Sequence, residues 1–404
     1  MGAIALKSTK WALDIATKLI KANIRVHNIE RIKDDMAIVY VVNHFTRVET
    51  VLLPYILHKY TGKEVWSLAA AELFVGKIGE YLLSMGNVST QDPDRDKIIV
   101  NSLLTGEHPW IIFPEGGMIK DKKVVDQTGA FKVYSSKGPR RPPHTGAAVL
   151  ALRAEYFRQR LECFKDRADK QQAIQPILTK LGLQSIDPAL KKRTFVVPVN
   201  ITYFPIRARE NMMLRLARAF ANDLSKRAVE ELSVEGTVLS KDTDIDVTFG
   251  EPIEVNPFLQ QTDCKLLIES IETDLNALEE DPESGFNEAA RRLMIRFMAD
   301  IYRNTTVNYD HIFGTLIRYQ RARRFTERAY RNRIFLAAQQ IKQLGQHRLH
   351  HFLDKSYRDI IYEDAAPMFT DFLDLCVNDG ILIREGNEYV RNTRIRTGEG
   401  DFQT

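Results

Sequence analysis

Short runs of apolar, often β-branched residues alternate with amphipathic stretches up to about residue 255. The clearest runs are MAIVYVV, WIIF, TFVVPVNITY and DIDVTFG, and charged stretches of helical periodicity separate them. Strands that alternate with helices are typical of a sheet whose faces are covered by helices. The sequence therefore predicts an α/β fold.

The apolar spacing changes at about residue 256. Beyond it the spacing is helical, and the segment GILIREGNEYVRN is typical of a β-hairpin that turns at EGN. We predict an amphipathic helix at 1–24, a sheet domain at 25–255 with an insertion at about 121–193, and a mostly helical domain at 256–404. Its part at 366–393 resembles a winged-helix unit, for which we favour a packing role over nucleic-acid binding.

Charge is distributed unevenly, although the formal net charge is only +4. Residues 3–22 place apolar residues near one helix face, and 207–227 alternate arginines with long apolar side chains. Residues 3–22 suit either a membrane interface or a helix packed on its own domain. Residues 207–227 suit an acidic surface, either lipid headgroups or nucleic acid, or a solvated helix with a buried stripe. The most apolar candidate for a membrane span is interrupted by Glu72, Lys77 and Glu80, so we predict none.

The three cysteines, Cys163, Cys264 and Cys376, are far apart and form no C-x-x-C pair. This spacing indicates neither a disulfide framework nor a zinc site. No secretory signal is recognised at the N-terminus. We expect a cytoplasmic protein in a reducing setting, peripheral to the inner face of a membrane.

The strand AIVYVV ends at Asn43 and His44, and Glu49 follows the histidine by five residues. A carboxylate that accepts a proton from one imidazole nitrogen fixes the tautomer and leaves the other nitrogen as a base. No G-x-S-x-G nucleophile elbow accompanies the pair, which favours direct transfer to an acceptor alcohol over a covalent acyl-enzyme. The alternative is a structural histidine at a strand end.

A second candidate segment is WIIFPEGGMIK, at residues 110–120. Gly116 and Gly117 follow a strand, where glycines let backbone N–H groups approach a ligand oxygen. Glu115 either orients an acceptor hydroxyl or anchors the loop through hydrogen bonds. The alternative is a tight turn with a structural glutamate.

The motifs NHFTRVE, FPEGG, VVPVNITY and VTFGEPI occur in an order that resembles the glycerolipid acyltransferase superfamily, over roughly residues 20–255. The resemblance implies a mixed, mostly parallel sheet flanked by helices. It implies His44 as general base and Glu49 as its orienter, with Phe113–Gly116 lining the acceptor site. It also implies an acyl-chain pocket at Val197, Pro198 and Val199.

The chain departs from the family pattern at several positions. Glu49 stands where the family usually has Asp. The related lipid A acyltransferases also have Glu at this position, but they lack the F-P-E-G motif. The two arginines that grip the acceptor phosphate in the family are displaced. We nominate Arg95 and Lys120 as substitutes, with Arg140 and Arg141 of the insertion as further candidates.

The expected function is transfer of a fatty acyl group from acyl-CoA or acyl-carrier protein to a hydroxyl of a glycerolipid precursor. The acceptor class is glycerol-3-phosphate or 1-acylglycerol-3-phosphate. No metal or prosthetic group is needed, and no nucleic acid is expected as a partner. Two alternatives stay open. One is acylation of another amphiphile, such as a lipid A precursor or an amino-acid-containing lipid. The other is a non-catalytic, membrane-associated scaffold.

Overall fold

Most of the predicted sheet domain and C-terminal region is described by the structure, which is a computed structural model. The described residues are 23–46, 48–69, 86–118, 124–126, 128–135, 138–163, 165, 175, 178–179, 181–205, 243–260, 286–362 and 367–392. Lys120, residues 1–22 and the arginine-rich stretch 207–227 lie outside them. Within these ranges no helix is long and apolar enough to cross a membrane.

Eight strands of the described chain form one mixed sheet, in the order β1-β9-β8-β2-β5-β3-β4, with β10 paired to β8. Their bounds are β1 Asn23–His27, β2 Met36–Val42, β3 Trp66–Ala69, β4 Asn87–Ser89, β5 Trp110–Ile112, β8 Arg193–Phe204, β9 Asp244–Phe249 and β10 Ile253–Glu254. A separate hairpin comprises β6 Val133–Ser135 and β7 Gly138–Arg141. Five neighbouring pairs are parallel, and β9 and β10 are each antiparallel to β8. The predicted mixed, mostly parallel sheet is confirmed.

Helices cover both faces of the sheet and build the C-terminal region. Those described are α1 Glu49–Thr61, α2 Arg95–Thr105, α3 Gly146–Cys163, α4 Asp187–Leu190, α5 Asn256–Leu259, α6 Asn287–Arg303, α7 Tyr309–Tyr319, α8 Glu327–Leu344, α9 His351–Ser356 and α10 Pro367–Asn378. The predicted boundary at residue 24 is wrong, because residues 23 and 24 already belong to β1 and pair with β9, and the rest of the predicted helix lies outside the described residues.

Alternating side chains of β2 divide the core between the two faces of the sheet. Ile38, Tyr40 and Val42 pack with apolar residues of α1. Val39 and Val41 pack on the other face with α2, α3 and α6. This period of two is the strand periodicity that the sequence displays. Because both faces are covered, β2 is almost completely buried.

The core of the sheet continues beyond residue 255. Helix α6 lies on the sheet with the fully buried side chains of Leu293, Phe297 and Ile301 in the same core as α2 and α3. The following helices form their own core around Phe313 and Phe369. The predicted C-terminal hairpin is confirmed as β12 Leu382–Glu385 and β13 Glu388–Arg391. A further strand, β11 Arg324–Thr326, pairs with β13 and was not predicted.

The carboxyl ends of β2 and β5 are adjacent, because these two strands are parallel neighbours. In open α/β sheets, ligands bind outside the carboxyl ends of the strands. This edge is where the histidine segment and the F-P-E-G-G segment both leave the sheet.

Candidate active site

Asn43 fixes the backbone at the point where the histidine segment leaves β2. Its amide Nδ2 donates to the carbonyl of Ile201 at 3.0 Å, and its Oδ1 accepts from the Ile201 N–H at 2.8 Å. The side chain thus continues the ladder between β2 and β8 by one step. His44 follows directly, at a position that both strands define.

The imidazole of His44 is held by a carboxylate and an aromatic ring. Its Nδ1 lies 2.9 Å from Oε2 of Glu49. Its ring stacks on Phe113 with a centroid distance of 4.4 Å. A proton shared between Nδ1 and the carboxylate leaves Nε2 as the nitrogen that can accept a second proton. The expected contact between the imidazole and the carboxylate is present, and the roles of general base and orienter stay predictions.

Glu49 is the first residue of α1, and its side chain is fully buried. Besides His44, its carboxylate accepts from the N–H groups of Phe45 at 3.1 Å and Thr46 at 2.9 Å, and from the Thr46 hydroxyl at 3.2 Å. Unpaired N–H groups and the positive end of the helix dipole favour a carboxylate at this position. Burial and these hydrogen bonds restrict the Glu49 carboxylate to a single orientation.

Tyr203 adds another donor to Glu49 from the far end of β8, with its hydroxyl 2.8 Å from Oε1. Tyr203 was not predicted from the sequence to belong to the site. The alternation of strand β8 places Tyr203 on the same face as Val197 and Val199, and all three belong to the core cluster beneath the histidine segment. That alternation was the available signal.

Glu115 connects the F-P-E-G-G turn to the histidine segment from a buried position. Its Oε2 accepts from the backbone N–H of His44 at 2.9 Å, and its Oε1 accepts from the hydroxyl of Tyr302. Only 1% of the residue is exposed. These contacts are those of the loop-anchoring alternative, since neither carboxylate oxygen faces open solvent.

Burial raises the pKa of Glu115 to about 8. The hydrogen bonds from Tyr302 and from the His44 N–H act in the opposite direction and lower it, but burial is the larger effect. The negative charge of Glu49 adds to the rise. Burial and the neighbouring Glu115 likewise raise the pKa of Tyr302 well above its ordinary value. The phenol therefore stays protonated as a donor at neutral pH. Tyr302 was not predicted from the sequence, because no local pattern relates it to Glu115, 187 residues away.

Gly116 turns the chain with a left-handed φ of 65°. A Cβ at this position would lie 2.5 Å from the His144 ring and 2.8 Å from Nη2 of Arg141. The N–H of Gly116 donates to the carbonyl of Phe113 at 3.1 Å, within the turn. Gly117 is exposed, and a Cβ there would meet no atom within 4 Å. The Gly117 amide is thus the better placed of the two to meet a ligand oxygen.

The end of the β6–β7 hairpin brings a cation to the same turn. Nη2 of Arg141 donates to the Glu115 carbonyl at 2.8 Å, and Nη1 donates to the Pro142 carbonyl at 3.1 Å. The backbone N–H of His144 donates to the Pro114 carbonyl at 2.8 Å. Burial, and the charge of Arg141 beside it, lower the pKa of His144. The guanidinium therefore adds positive charge next to a neutral imidazole.

Arg95 is at the start of α2, beyond the edge strand β4. Its Nε donates to Asp96 at 2.7 Å, and its Nη1 donates to the Thr90 carbonyl at 2.6 Å. β3 lies between β4 and β5 in the sheet, so two strand spacings of about 4.8 Å each separate β4 from the strand that leads into the F-P-E-G-G turn. Lys120 lies outside the described residues, so the nomination of Arg95 together with Lys120 stays a prediction.

Val197, Pro198 and Val199 lie in the centre of β8, in register with Tyr40, Val41 and Val42 of β2. Both valines are completely buried in the core on the α1 face. The motif therefore lies directly below the strand end that carries His44. Its role toward an acyl chain stays a prediction.

A second polar cluster lies where β9 meets the C-terminal helices. Asp244, His350 and His351 bring possible metal-ligand atoms within 4.8 Å of one another. Nη1 of Arg25 lies 3.2 Å from the Asp244 carboxylate, and Nε2 of His350 lies 2.9 Å from it. Burial acts to raise the pKa of Asp244, but His350 and Arg25 outweigh it and hold the value at about 2. The cluster is a buried ion-pair network in which Arg25 supplies the cation.

Comparison with known proteins bears on the part of the chain that holds the site. The family model described as Acyltransferase matches residues 23–179. A solved structure that resembles the chain is the crystal structure of the 1-acyl-sn-glycerophosphate (LPA) acyltransferase, PlsC, from Thermotoga maritima. It is 13% identical and has a TM-score of 0.29, over 71% of this chain and 75% of that chain. None of the curated proteins compared with the sequence matches it. The matched residues 23–179 hold His44, Glu49 and the F-P-E-G-G turn, so the resemblance of this part of the chain to the acyltransferase family is confirmed.

Proposed function

We propose that the protein transfers a fatty acyl group from acyl-CoA or acyl-carrier protein to a hydroxyl of a glycerolipid precursor, with His44 as general base. The observation that carries the proposal is the 2.9 Å contact between Nδ1 of His44 and the buried Glu49 carboxylate. The Glu49 carboxylate accepts from four donors besides the imidazole, within residues that match the acyltransferase family model, which supports a role in orienting His44.

In the proposed reaction the acceptor hydroxyl binds with its proton directed at Nε2 of His44. As the hydroxyl oxygen attacks the thioester carbonyl carbon, Nε2 takes the proton and Glu49 stabilises the imidazolium. The tetrahedral intermediate carries negative charge on the former carbonyl oxygen, and the Gly117 amide is our candidate donor to it. The carbon–sulfur bond then breaks, the imidazolium returns its proton to the thiolate, and an ester and a free thiol leave. No protein nucleophile is needed.

On the acceptor side we propose a phosphorylated precursor, either glycerol-3-phosphate or 1-acylglycerol-3-phosphate. Arg141 supports this assignment because it carries positive charge to the F-P-E-G-G turn itself. Lys120, a few residues past that turn, stays a candidate, whereas Arg95 is bound to Asp96. The acyl chain is proposed to run toward Val197, Pro198 and Val199.

We further propose peripheral contact with the inner face of a membrane, through residues 3–22 and 207–227. Cations near an anionic lipid surface contribute about 1 kcal/mol each, and salt screens them. Co-sedimentation with vesicles of phosphatidylglycerol and phosphatidylcholine tests the proposal at low and high salt. Binding that depends neither on salt nor on residues 1–22 would contradict it.

The decisive experiment incubates purified protein with labelled acyl-CoA, or acyl-carrier protein, and a panel of acceptors, and identifies products by mass. His44→Ala should lower turnover by about 10²- to 10⁴-fold, because the general base is lost. His58→Ala is the matched control, since His58 is an exposed residue of α1. Full turnover in a folded His44→Ala protein would reject the mechanism.

The acceptor panel also separates the alternatives. Products formed only on a lipid A precursor or an amino-acid-containing lipid would keep the chemistry and change the acceptor. Acyl-CoA hydrolysis that needs His44, without any acylated product, would indicate a working site whose acceptor is missing from the panel. No turnover and no hydrolysis would favour the non-catalytic scaffold.

A further inference from the structure

The chain segment 302–308, at the end of α6 and the turn after it, is bonded to the site at successive points. Three of these bonds join it to β8. Asn200 Nδ2 donates to the Thr305 hydroxyl at 3.2 Å, the Thr306 N–H donates to the Thr202 hydroxyl at 3.3 Å, and Asn308 Nδ2 donates to the Tyr203 carbonyl at 3.4 Å. The segment is therefore fixed along the strand that also carries the donor to Glu49.

The fourth bond goes directly to the F-P-E-G-G turn, since the hydroxyl of Tyr302 donates to Glu115. The Tyr302 ring packs against Val124 and Val133, and the preceding Ile301 is completely buried in the core of the sheet. These apolar contacts hold the Tyr302 ring, and the buried helix end holds its backbone. The hydroxyl of Tyr302 therefore has little freedom to move.

A small pocket beside His44 is lined by residues from both parts of the chain. The acyltransferase domain contributes His44 and Glu115, and the 302–308 segment contributes Tyr302 and Thr305. The site is therefore incomplete when only residues 23–179 are considered. Those residues lack Tyr203, which donates to Glu49, and Tyr302, which donates to the second oxygen of Glu115.

Glu115 transmits this contact to the reacting group. One carboxylate oxygen holds the backbone N–H of His44, and the other accepts from Tyr302. Without the phenol, a buried carboxyl has one fewer donor and can rotate about its last bond. Any such rotation moves the acceptor of the His44 N–H, and with it the backbone that aims the imidazole.

We propose that Tyr302 is a positioning residue of the acyl transfer, acting through Glu115 on His44 and on the turn that bears Gly117. The inference rests on the proposed function and extends the site beyond the family match, into the C-terminal region. Because small misplacements of a catalytic group cost up to about 100-fold in rate, Tyr302→Phe should lower kcat by about 10- to 100-fold. The acceptor KM should change much less.

A double-mutant cycle on kcat tests whether Tyr302 acts through Glu115. If it does, Tyr302→Phe should reduce kcat strongly in the wild-type background but by less than about 3-fold in a Glu115→Met background, because methionine has a similar size but no oxygen to accept from the phenol, and interacting residues are not additive. Equal loss in both backgrounds, or no loss in the wild-type background, would overturn the proposal. Tyr319→Phe is the control, since Tyr319 is 70% exposed on α7.

A readout without turnover separates failure of this proposal from failure of the proposed function. Glutamate carboxyls carrying ¹³C are titrated by NMR, and the Glu115 signal is assigned with Glu115→Gln. Loss of a donor to the carboxylate should raise the pKa of Glu115 in Tyr302→Phe and leave it unchanged in Tyr319→Phe. An unchanged pKa in Tyr302→Phe would overturn the contact. If the wild type acylates nothing while the pKa rises, the proposed function fails and the positioning contact stands.

Discussion

The hydroxyl of Tyr203 donates to Oε1 of Glu49 at 2.8 Å, across 154 residues of sequence. The same carboxylate holds Nδ1 of His44 with its other oxygen. The far end of β8 is thereby joined to the imidazole through one buried acid. An aspartate at this position would be one methylene shorter, and we expect it to be too short to contact both Tyr203 and His44.

Glu49→Asp tests that expectation. Shortening the side chain by one methylene withdraws the carboxylate from Tyr203, from His44 or from both, so we expect kcat to fall although the charge is kept. Glu49→Gln should be more severe, by about 10²- to 10⁴-fold, because an amide orients imidazole poorly and cannot stabilise imidazolium. Steady-state kinetics of both variants give the comparison. An aspartate variant as active as the wild type would show that reach is unimportant here.

Gly116→Ala and Gly117→Ala form a matched pair in the F-P-E-G-G turn. Gly116 has φ of 65°, and its Cβ would overlap the His144 ring, whereas Gly117 has neither constraint. We expect Gly116→Ala to lower the free energy of unfolding by at least about 1–2 kcal/mol. Gly117→Ala should be neutral, or stabilising by about 0.4–1 kcal/mol. Urea denaturation measures both, and equal effects would contradict the described turn.

Arg141→Gln should raise the acceptor KM more than it lowers kcat. Binding of a phosphate is shared by the ground state and the transition state, so its loss appears mainly in KM. A charged hydrogen bond worth about 1.5–3 kcal/mol corresponds to roughly 10- to 100-fold. Arg95→Gln should have a smaller effect, because Asp96 already binds that guanidinium. The acyl-donor KM serves as the internal reference, and an unchanged acceptor KM in Arg141→Gln would point to a neutral acceptor.

Glu115→Gln should change how stability depends on pH. Burial raises the pKa of Glu115 from its ordinary 4.5 to about 8 in the folded protein. As pH rises, the unfolded chain therefore releases this proton at a lower pH than the folded protein does. The protonated carboxyl's contribution to the free energy of unfolding is lost between pH 4.5 and pH 8. Glutamine cannot ionise, so the variant should gain stability relative to the wild type over that interval. Urea denaturation at pH 5, 6.5 and 8 measures the difference, which would stay constant if Glu115 did not titrate there.

Much of the sheet was predictable from the sequence because its signals are local. The run 36–42 matches strand β2 residue for residue, and the hairpin after α10 turns where EGN predicted. β-branched alternation and turn residues act within a few positions of the chain. The additional strand β11 could not be predicted, because its three residues, Arg324–Thr326, show no such periodicity. They form a strand by pairing with β13.

The residues of the site likewise divide into those that local sequence patterns predict and those whose position depends on the tertiary structure. His44 and Glu49 were recognisable because a five-residue spacing at a strand end brings them together through local geometry. Arg95 was nominated on a motif alignment, and its role toward the acceptor stays a prediction. The alignment did not contain the strand order, in which β3 lies between β4 and β5. Order in a sheet is decided by which strands pair, and no single segment of sequence contains that information.

The sequence by itself determined the α/β class, the histidine with its orienting acid, and the glycine turn, since each depends on neighbours a few residues apart. Only the tertiary structure decided that Tyr203 and Tyr302 donate to the two buried glutamates and that Arg141 lies against the F-P-E-G-G turn. Two buried carboxylates need donors from whatever surrounds them. Here those donors come from a distant strand end and a C-terminal helix, whose proximity exists only once the shared core has formed.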